Sequence, residues 1–249
     1  MSAFAKNIWR SIQGHLSRFL ALFAIIALGA GVFAGLRMFV PDMHTSADQY
    51  YDKLNMIDFR ITSTLGLIDD DLNAVRNLDE IEGASPVILN EVSLNHGKKS
   101  IQLSLEGIDM KLAREFESAD ASKKDKFPNY VNRLRILDGR LPEAKDEIVI
   151  SNVEGDLRLG DTLEVSSIVG HEHPEEYFTT TTFKIVGFIA SPEFISDAYG
   201  VSPDTGTTFT NYGYLGFDSY KNTDVYTDIF ATAKALSKRL PLQMDIVRR

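Results

Sequence analysis

The apolar positions of this chain follow two different patterns. From Phe19 to Leu36 there are 18 consecutive residues without a charge, FLALFAIIALGAGVFAGL. After Arg37, the residues Met38, Phe39 and Val40 carry the apolar character to Pro41. At about 1.5 Å per residue, roughly 18 to 22 residues reach about 30 Å, the thickness of a bilayer's hydrocarbon core. In lipid the backbone must satisfy its own hydrogen bonds, so this segment is predicted to be a helix. Ahead of it, Phe4, Ile8 and Ile12 recur one helical turn apart, with Trp9 beside them and Lys6 and Arg10 alternate to them. That spacing predicts a short amphipathic helix lying at the membrane interface. The expected division is an interfacial helix at 1–17, a transmembrane helix at 18–40 and a folded extracytoplasmic domain at 41–249.

Beyond Pro41 the pattern shortens and mixes. Residues 42–55 are expected to continue a helix away from the membrane. Residues 57–62 alternate and predict a half-buried strand. Asp69-Asp70-Asp71 opens a helix to about Leu78, because acids favour a helix N-terminus, and Leu72, Val75 and Leu78 form its apolar stripe. Val87–Leu94 and Ser100–Glu106 predict two strands joined across Asn95-His96-Gly97-Lys98. Met110–Ser118 predicts a helix and 119–133 a polar loop. Further strands are expected at Glu147–Ser151, Thr162–Ser166, Phe178–Ile189, Tyr212–Phe217 and Val225–Thr232. A helix is expected from Ala233 to Arg239, stopped by Pro241. Strands outnumber helices and do not alternate regularly with them, which predicts an α+β fold with a mixed, strand-rich domain, not a doubly wound sheet.

Charge sharpens the division. Residues 1–40 hold Lys6, Arg10, Arg18 and Arg37 and no acid, which leaves 22 bases against 35 acids, or −13, for the remainder. Lys6, Arg10 and Arg18 precede the apolar run, and Asp42, Asp48 and Asp52 follow it. The lysine and arginine bias predicts a cytoplasmic N-terminus and a body on the far side of the cell membrane. Arg37 lies close enough to the outer end to reach the headgroups. A cleaved leader is the rival, with Val32-Phe33-Ala34 as its small-residue site; the apolar run exceeds the usual signal core, and this favours the anchor. Gly31 and Gly35, with Ala27 one turn back, place small residues on one helix face, a surface against which a second helix packs closely.

Chemistry is sparse. The chain has no cysteine, which excludes disulfides, thiolate metal sites and cysteine nucleophiles. No phosphate-binding loop, nucleophile elbow or zinc-protease helix appears. His171-Glu172-His173 with Glu175 and Glu176 is the one cluster with metal-ligand character, and a solvated hairpin tip accounts for it as well. Asp69-Asp70-Asp71 lacks the glycine and distal glutamate of a calcium loop. The acidic body carries no basic patch with interleaved aromatics, so a nucleic-acid partner is not expected. The residues predict neither an enzyme nor a cofactor.

Three stretches carry a resemblance. Residues 133–151 read RLRILDGRLPEAKDEIVIS, followed by LRLGDTLEV at 157–165 and FKIVGFIASP at 183–192. The order Gly139-Arg140-Leu141-Pro142, Glu147-Ile148-Val149, Gly160-Asp161 and Val186-Gly187 resembles the extracytoplasmic core domain of FtsX-like, MacB-type ABC-transporter permeases. The head matches in Arg18-Phe19-Leu20-Ala21 and in Gly29, Gly31 and Gly35. The resemblance covers residues 1–232. It implies a permease subunit with three further membrane helices, a separate cytoplasmic ATPase as partner, and cargo that does not necessarily cross a membrane cavity. Against that pattern the chain is expected either to be truncated or to need other permease helices or a second permease subunit to complete it, and its core domain is expected to lack its last elements. Gly139, Arg140, Pro142, Glu147, Gly160, Asp161 and Gly187 are expected to be fold determinants, with the Arg140 guanidinium bridging nearby carboxylates. A single-pass sensor or binding domain and a secreted hydrolase are the alternatives. A neighbouring ATPase gene would separate the first from a permease, and the mature N-terminus would decide the second.

Overall fold

The computed structural model describes residues 14–152, 155–170, 173–194, 209 and 211–234. An uninterrupted helix, α1 (Leu16–Lys53), carries the whole apolar run and continues through Pro41. Proline inside a helix removes one backbone donor. One turn further on, the Thr45 hydroxyl donates to the Pro41 carbonyl at 3.0 Å. By length and composition α1 is apolar enough to cross a membrane, and none of its residues is buried. The Arg37 guanidinium lies over the Phe33 ring, 5.6 Å from its centroid.

The chain divides into two units, residues 1–50 and 51–249. The second unit contains nine strands among the described residues: β1 (Phe59–Leu67), β2 (Ile81–His96), β3 (Lys99–Ile108), β4 (Arg135–Gly139), β5 (Glu147–Ile150), β6 (Thr162–Ile168), β7 (Thr182–Ala190), β8 (Asn211–Gly216) and β9 (Tyr226–Ala233). Three short helices accompany them: α2 (Asp69–Arg76), α3 (Met110–Ser118) and α4 (Pro174–Tyr177). The fold is α+β, an apolar helix followed in the chain by a mixed, strand-rich sheet domain.

The pairing explains how the strands make a core. β2 pairs with β9 over its first half, and with β3 and β6 over its second. From β2 the ladder runs through β3, β8, β5, β7 and β6 and returns to β2, so six strands close a ring. β1 and β9 extend the other half of β2, and β4 pairs along β7. Leu94, Leu103, Leu105, Ile148, Ile150, Leu163, Phe183 and Ile185 alternate inward to fill the ring and are fully buried. The outer face of β8 and β5 is covered by α3, through Met110, Ala113 and Phe116 against Tyr212, Tyr214 and Val149.

The helix at Met110–Ser118 has the predicted bounds, capped by Asp109, which accepts from the Leu112 amide at 3.0 Å. Several expectations need correction. α2 stops at Arg76, and Leu78 is 52% exposed, not part of a buried stripe. The Arg76 guanidinium turns back to the Ala84 carbonyl, and the chain reverses there into β2. The long strand expected from Phe178 begins at Thr182, because Phe178 forms only an isolated bridge to Tyr220. Arg135–Gly139 is a strand that the pattern did not predict; it is a short, mostly exposed strand. Pro174 opens a helical turn where a hairpin tip was expected. Ala233 ends β9, paired with Ile81, and does not start a helix; the rest of that predicted helix lies outside the described residues. The interfacial helix at 1–17 also lies largely outside them.

Candidate functional site

Three places carry chemistry. The first is the small-residue face of α1. Ala27, Gly31 and Gly35 are exposed, and a side-chain carbon at Gly29, Gly31 or Gly35 would meet nothing within 4 Å. This leaves a bare groove along an apolar helix.

The second is the set of motif residues, which converge on β7. Gly139 ends β4 at φ +77°, with Gly187 of β7 as its ladder partner. The Arg140 amide donates to the Val186 carbonyl at 3.0 Å. Its guanidinium grips both Glu147 oxygens, Nη1 to Oε2 at 2.7 Å and Nη2 to Oε1 at 2.6 Å, and Nη1 also donates to the Leu141 carbonyl at 2.9 Å. Glu147 Oε2 further accepts from the amides of Glu143 (2.8 Å) and Ala144 (3.3 Å). The Pro142 carbonyl accepts from Arg114, which ties the turn to α3. One residue further along β7, Ile185 bonds both Gly160 and Asp161 through its backbone at 2.8 Å each. Asp161 caps its own turn by accepting from the Arg158 amide at 2.9 Å, and it lies 3.3 Å from His96 Nε2. Two separate loops are thus laced to three successive residues of one strand, Ile185, Val186 and Gly187.

The Arg140 guanidinium, with the two backbone amides, holds Glu147 at about 2, below the usual carboxylate range. A depressed folded-state value stabilises the fold above the unfolded value and loses that contribution as pH falls through the folded one. Arg140→Gln is therefore expected to destabilise the second unit by about 1 kcal/mol at neutral pH, since the pair is bidentate but half exposed. The difference from wild type should shrink between about pH 5 and about pH 2, as Glu147 takes up its proton. Urea unfolding of the full chain in detergent, followed by near-ultraviolet circular dichroism across that range, tests it. A difference that is independent of pH would contradict the assignment.

The third place was not legible in the sequence. Glu106 stands on the outer face of β3, in parallel register with Tyr214 of β8, and is 1% exposed. Around it lie Glu193, Asp228 and Arg60. Arg60 Nε is bound to Asp228 Oδ1 at 2.7 Å, and Asp228 also accepts from Thr62 (2.6 Å) and Thr227 (2.7 Å). Burial pushes Asp228 up, but those hydrogen bonds outweigh it and hold the carboxyl low. Glu193 accepts from Asn132 Nδ2 at 2.9 Å. Among the described residues Glu106 receives only the Tyr214 hydroxyl, at 3.4 Å, and burial together with Glu193 pushes its carboxyl well above the usual range. Glu106 and Tyr214 form part of the wall of a cavity of about 260 Å³ between the sheet, α2, α3 and residues 129–132. That last segment, expected only as loop, is held in place by Asn55, whose side-chain amide donates to the carbonyls of Pro128 (3.1 Å) and Tyr130 (2.9 Å).

Among the described residues no three His, Asp or Glu side chains converge as metal ligands. His171 and Glu172 lie outside those residues, and His173 Nδ1 is 3.2 Å from Glu175. The aspartates at the head of α2 have structural partners: Asp69 accepts from the Tyr226 hydroxyl at 2.9 Å and Asp71 from the Ile68 amide at 3.0 Å.

No family model matches the chain, and no curated protein matches it. Solved structures similar to it include the extracellular domain of the noncanonic ABC-type transporter YknZ from Gram-positive bacteria, at 12% identity and a TM-score of 0.40, covering 71% of this chain and 78% of that one. They also include the periplasmic region of MacB from Actinobacillus actinomycetemcomitans, at 12% identity and a TM-score of 0.39, covering 75% of this chain and 72% of that one.

Proposed function

We propose that this chain is the N-terminal part of an ABC-transporter permease subunit of the FtsX/MacB type. In this reading residues 1–17 lie at the cytoplasmic interface, 18–40 cross the cell membrane, and 41–249 form an extracytoplasmic core domain. A cytoplasmic ATPase drives the complex, and the domain relays the resulting motion outward, for export or for mechanical signalling across the membrane. The chain itself performs no catalysis. The observation that supports this reading is a bare apolar helix followed in the chain by a domain in which six of the seven motif residues are paired or bonded along one strand, β7, while the seventh, Pro142, ties their turn to α3. Lacing of this kind makes a rigid body, which is what a part moved as a unit requires. The exposed face of Ala27, Gly31 and Gly35 suits packing against the remaining permease helices or a second permease subunit.

The test is co-purification from membranes with candidate ATPase and permease chains, paired with protease treatment of intact spheroplasts. The expected result is a complex containing the ATPase and a domain shaved by external protease. Gly31→Ile with Gly35→Ile should cut recovery of the partner permease at least tenfold, since it fills the groove. A chain that alkali washes from the membrane, or a domain that protease cannot reach, would overturn the reading. A membrane-bound chain recovered without either partner would favour a single-pass binding domain instead.

A further inference from the structure

We propose that the cavity beside Glu106 is a binding site for a small organic cation, an ammonium or guanidinium group, with the Glu106 carboxylate as its counter-charge. The inference does not rest on the transport reading. It starts from how the polar groups of the wall are occupied. Arg76 spends Nε and Nη2 on the Ala84 carbonyl, at 3.0 and 2.8 Å. Asp109 caps α3, and Asp69 holds the Tyr226 hydroxyl. Asn129 accepts from the Ala84 amide at 3.1 Å. Of the three carboxyl groups in the wall, Glu106 is the one without a strong partner. Among the described residues its one hydrogen-bond contact is the long 3.4 Å approach of the Tyr214 hydroxyl, which lies nearer to Ser191 Oγ, at 3.0 Å.

The neighbouring cation does not compensate. Arg60 is bound to Asp228, which three donors already hold in its charged form. Burying a carboxyl without a matched partner costs free energy that a purely structural residue has no reason to impose. The wall around it is rich in rings, including Tyr130, Tyr214, Phe217, Tyr226 and Phe230. Aromatic faces beside a carboxylate suit an organic cation. A chelated metal ion fits less well, since no three carboxyl or imidazole groups converge among the described residues. The cavity, about 260 Å³, accommodates a group the size of a lysine or arginine side chain.

Occupation has a proton signature. In the empty cavity, burial and the neighbouring Glu193 shift Glu106 toward its neutral form. The other charged or titratable groups facing it among the described residues are Arg60 on β1, Asp228 on β9, Tyr214 on β8 and Tyr220, with Asp69 and Arg76 on α2, Asp109 at the head of α3, Tyr130 and Tyr226 around the cavity. An incoming cation makes the carboxylate favourable, so the Glu106 proton leaves to buffer as the cation enters. Affinity must then rise with pH, by up to about tenfold per unit while Glu106 remains protonated in the empty site.

Isothermal titration of the full chain in non-ionic detergent tests this with two probes, n-butylammonium and the capped tripeptide Gly-Lys-Gly. Titrations run at about pH 6 and about pH 9, each in two buffers of different ionisation heat. The expected result is saturable binding of at least one probe, tighter at the higher pH, with close to one proton released per cation at the lower. Binding of butylammonium alone points to a free amine as the natural ligand, and binding of the tripeptide to a basic side chain of a partner. Glu106→Gln, which keeps the shape and removes the charge, should weaken binding at least tenfold and abolish proton release. Asp224→Asn, an exposed acid outside the cavity, should change neither. No saturable binding of either probe at the higher pH, or binding by Glu106→Gln with proton release intact, would overturn the proposal.

Discussion

Truncating Phe183 to alanine is expected to cost about 3–5 kcal/mol, as much as any single side chain in the domain. Phe183 is fully buried inside the six-strand ring and meets the Phe178 ring edge-on at 5.7 Å between centroids. Its removal leaves a hole in the middle of a closed ladder. Closed strands cannot slide together to fill a void without breaking the hydrogen bonds that close them, so relaxation is limited and the cavity cost is close to its full value. Phe183→Leu keeps most of the volume and should cost less than about 1.5 kcal/mol. Urea unfolding of the full chain in detergent, with tyrosine circular dichroism as the probe, distinguishes the two. A loss below about 1 kcal/mol for the alanine variant would mean that the ring interior is not the main core.

Gly139→Ala is the second large effect, expected at about 3 kcal/mol by the same measurement. Two causes act together. The residue has φ +77°, a region that costs a non-glycine residue on the order of 1 kcal/mol. An added side-chain carbon would also lie 2.3 Å from the Val186 carbonyl oxygen and 2.8 Å from the Gly187 Cα, both backbone atoms that cannot swing aside. Relief requires β4 to part from β7, and with it the Arg140 amide from Val186. Gly97→Ala is the control. Gly97 also has positive φ, at +62°, but nothing lies within 4 Å of an added carbon, so only the conformational cost should appear. Equal losses at the two positions would show that the close approach of β4 and β7 contributes nothing.

What the sequence discloses depends on how local the cause is. The apolar run declares α1, because its length and lack of charge need no partner to be read. α3 has an apolar stripe and a capping aspartate within nine residues, so its bounds are legible. The Arg140–Glu147 pair spans one short turn and leaves a recognisable spacing. β4 was missed because it is five residues long, largely exposed and held by its neighbour, not by its own pattern. Glu106 was missed for a different reason. Along β3 it falls on the face opposite Leu103 and Leu105, where a strand with one wet side should place a charge. What removes that water is α3 and the segment around Asn129–Asn132, distant in sequence and brought over by the fold. The tyrosines at 212 and 214, alternating on β8, were the one available sign that this face is covered.

The length of β2 has a mechanical corollary. Its 16 residues extend about 50 Å, and both strand systems are stitched to it. Because both systems share this one strand, β9 and β6 cannot part company without breaking a ladder to β2.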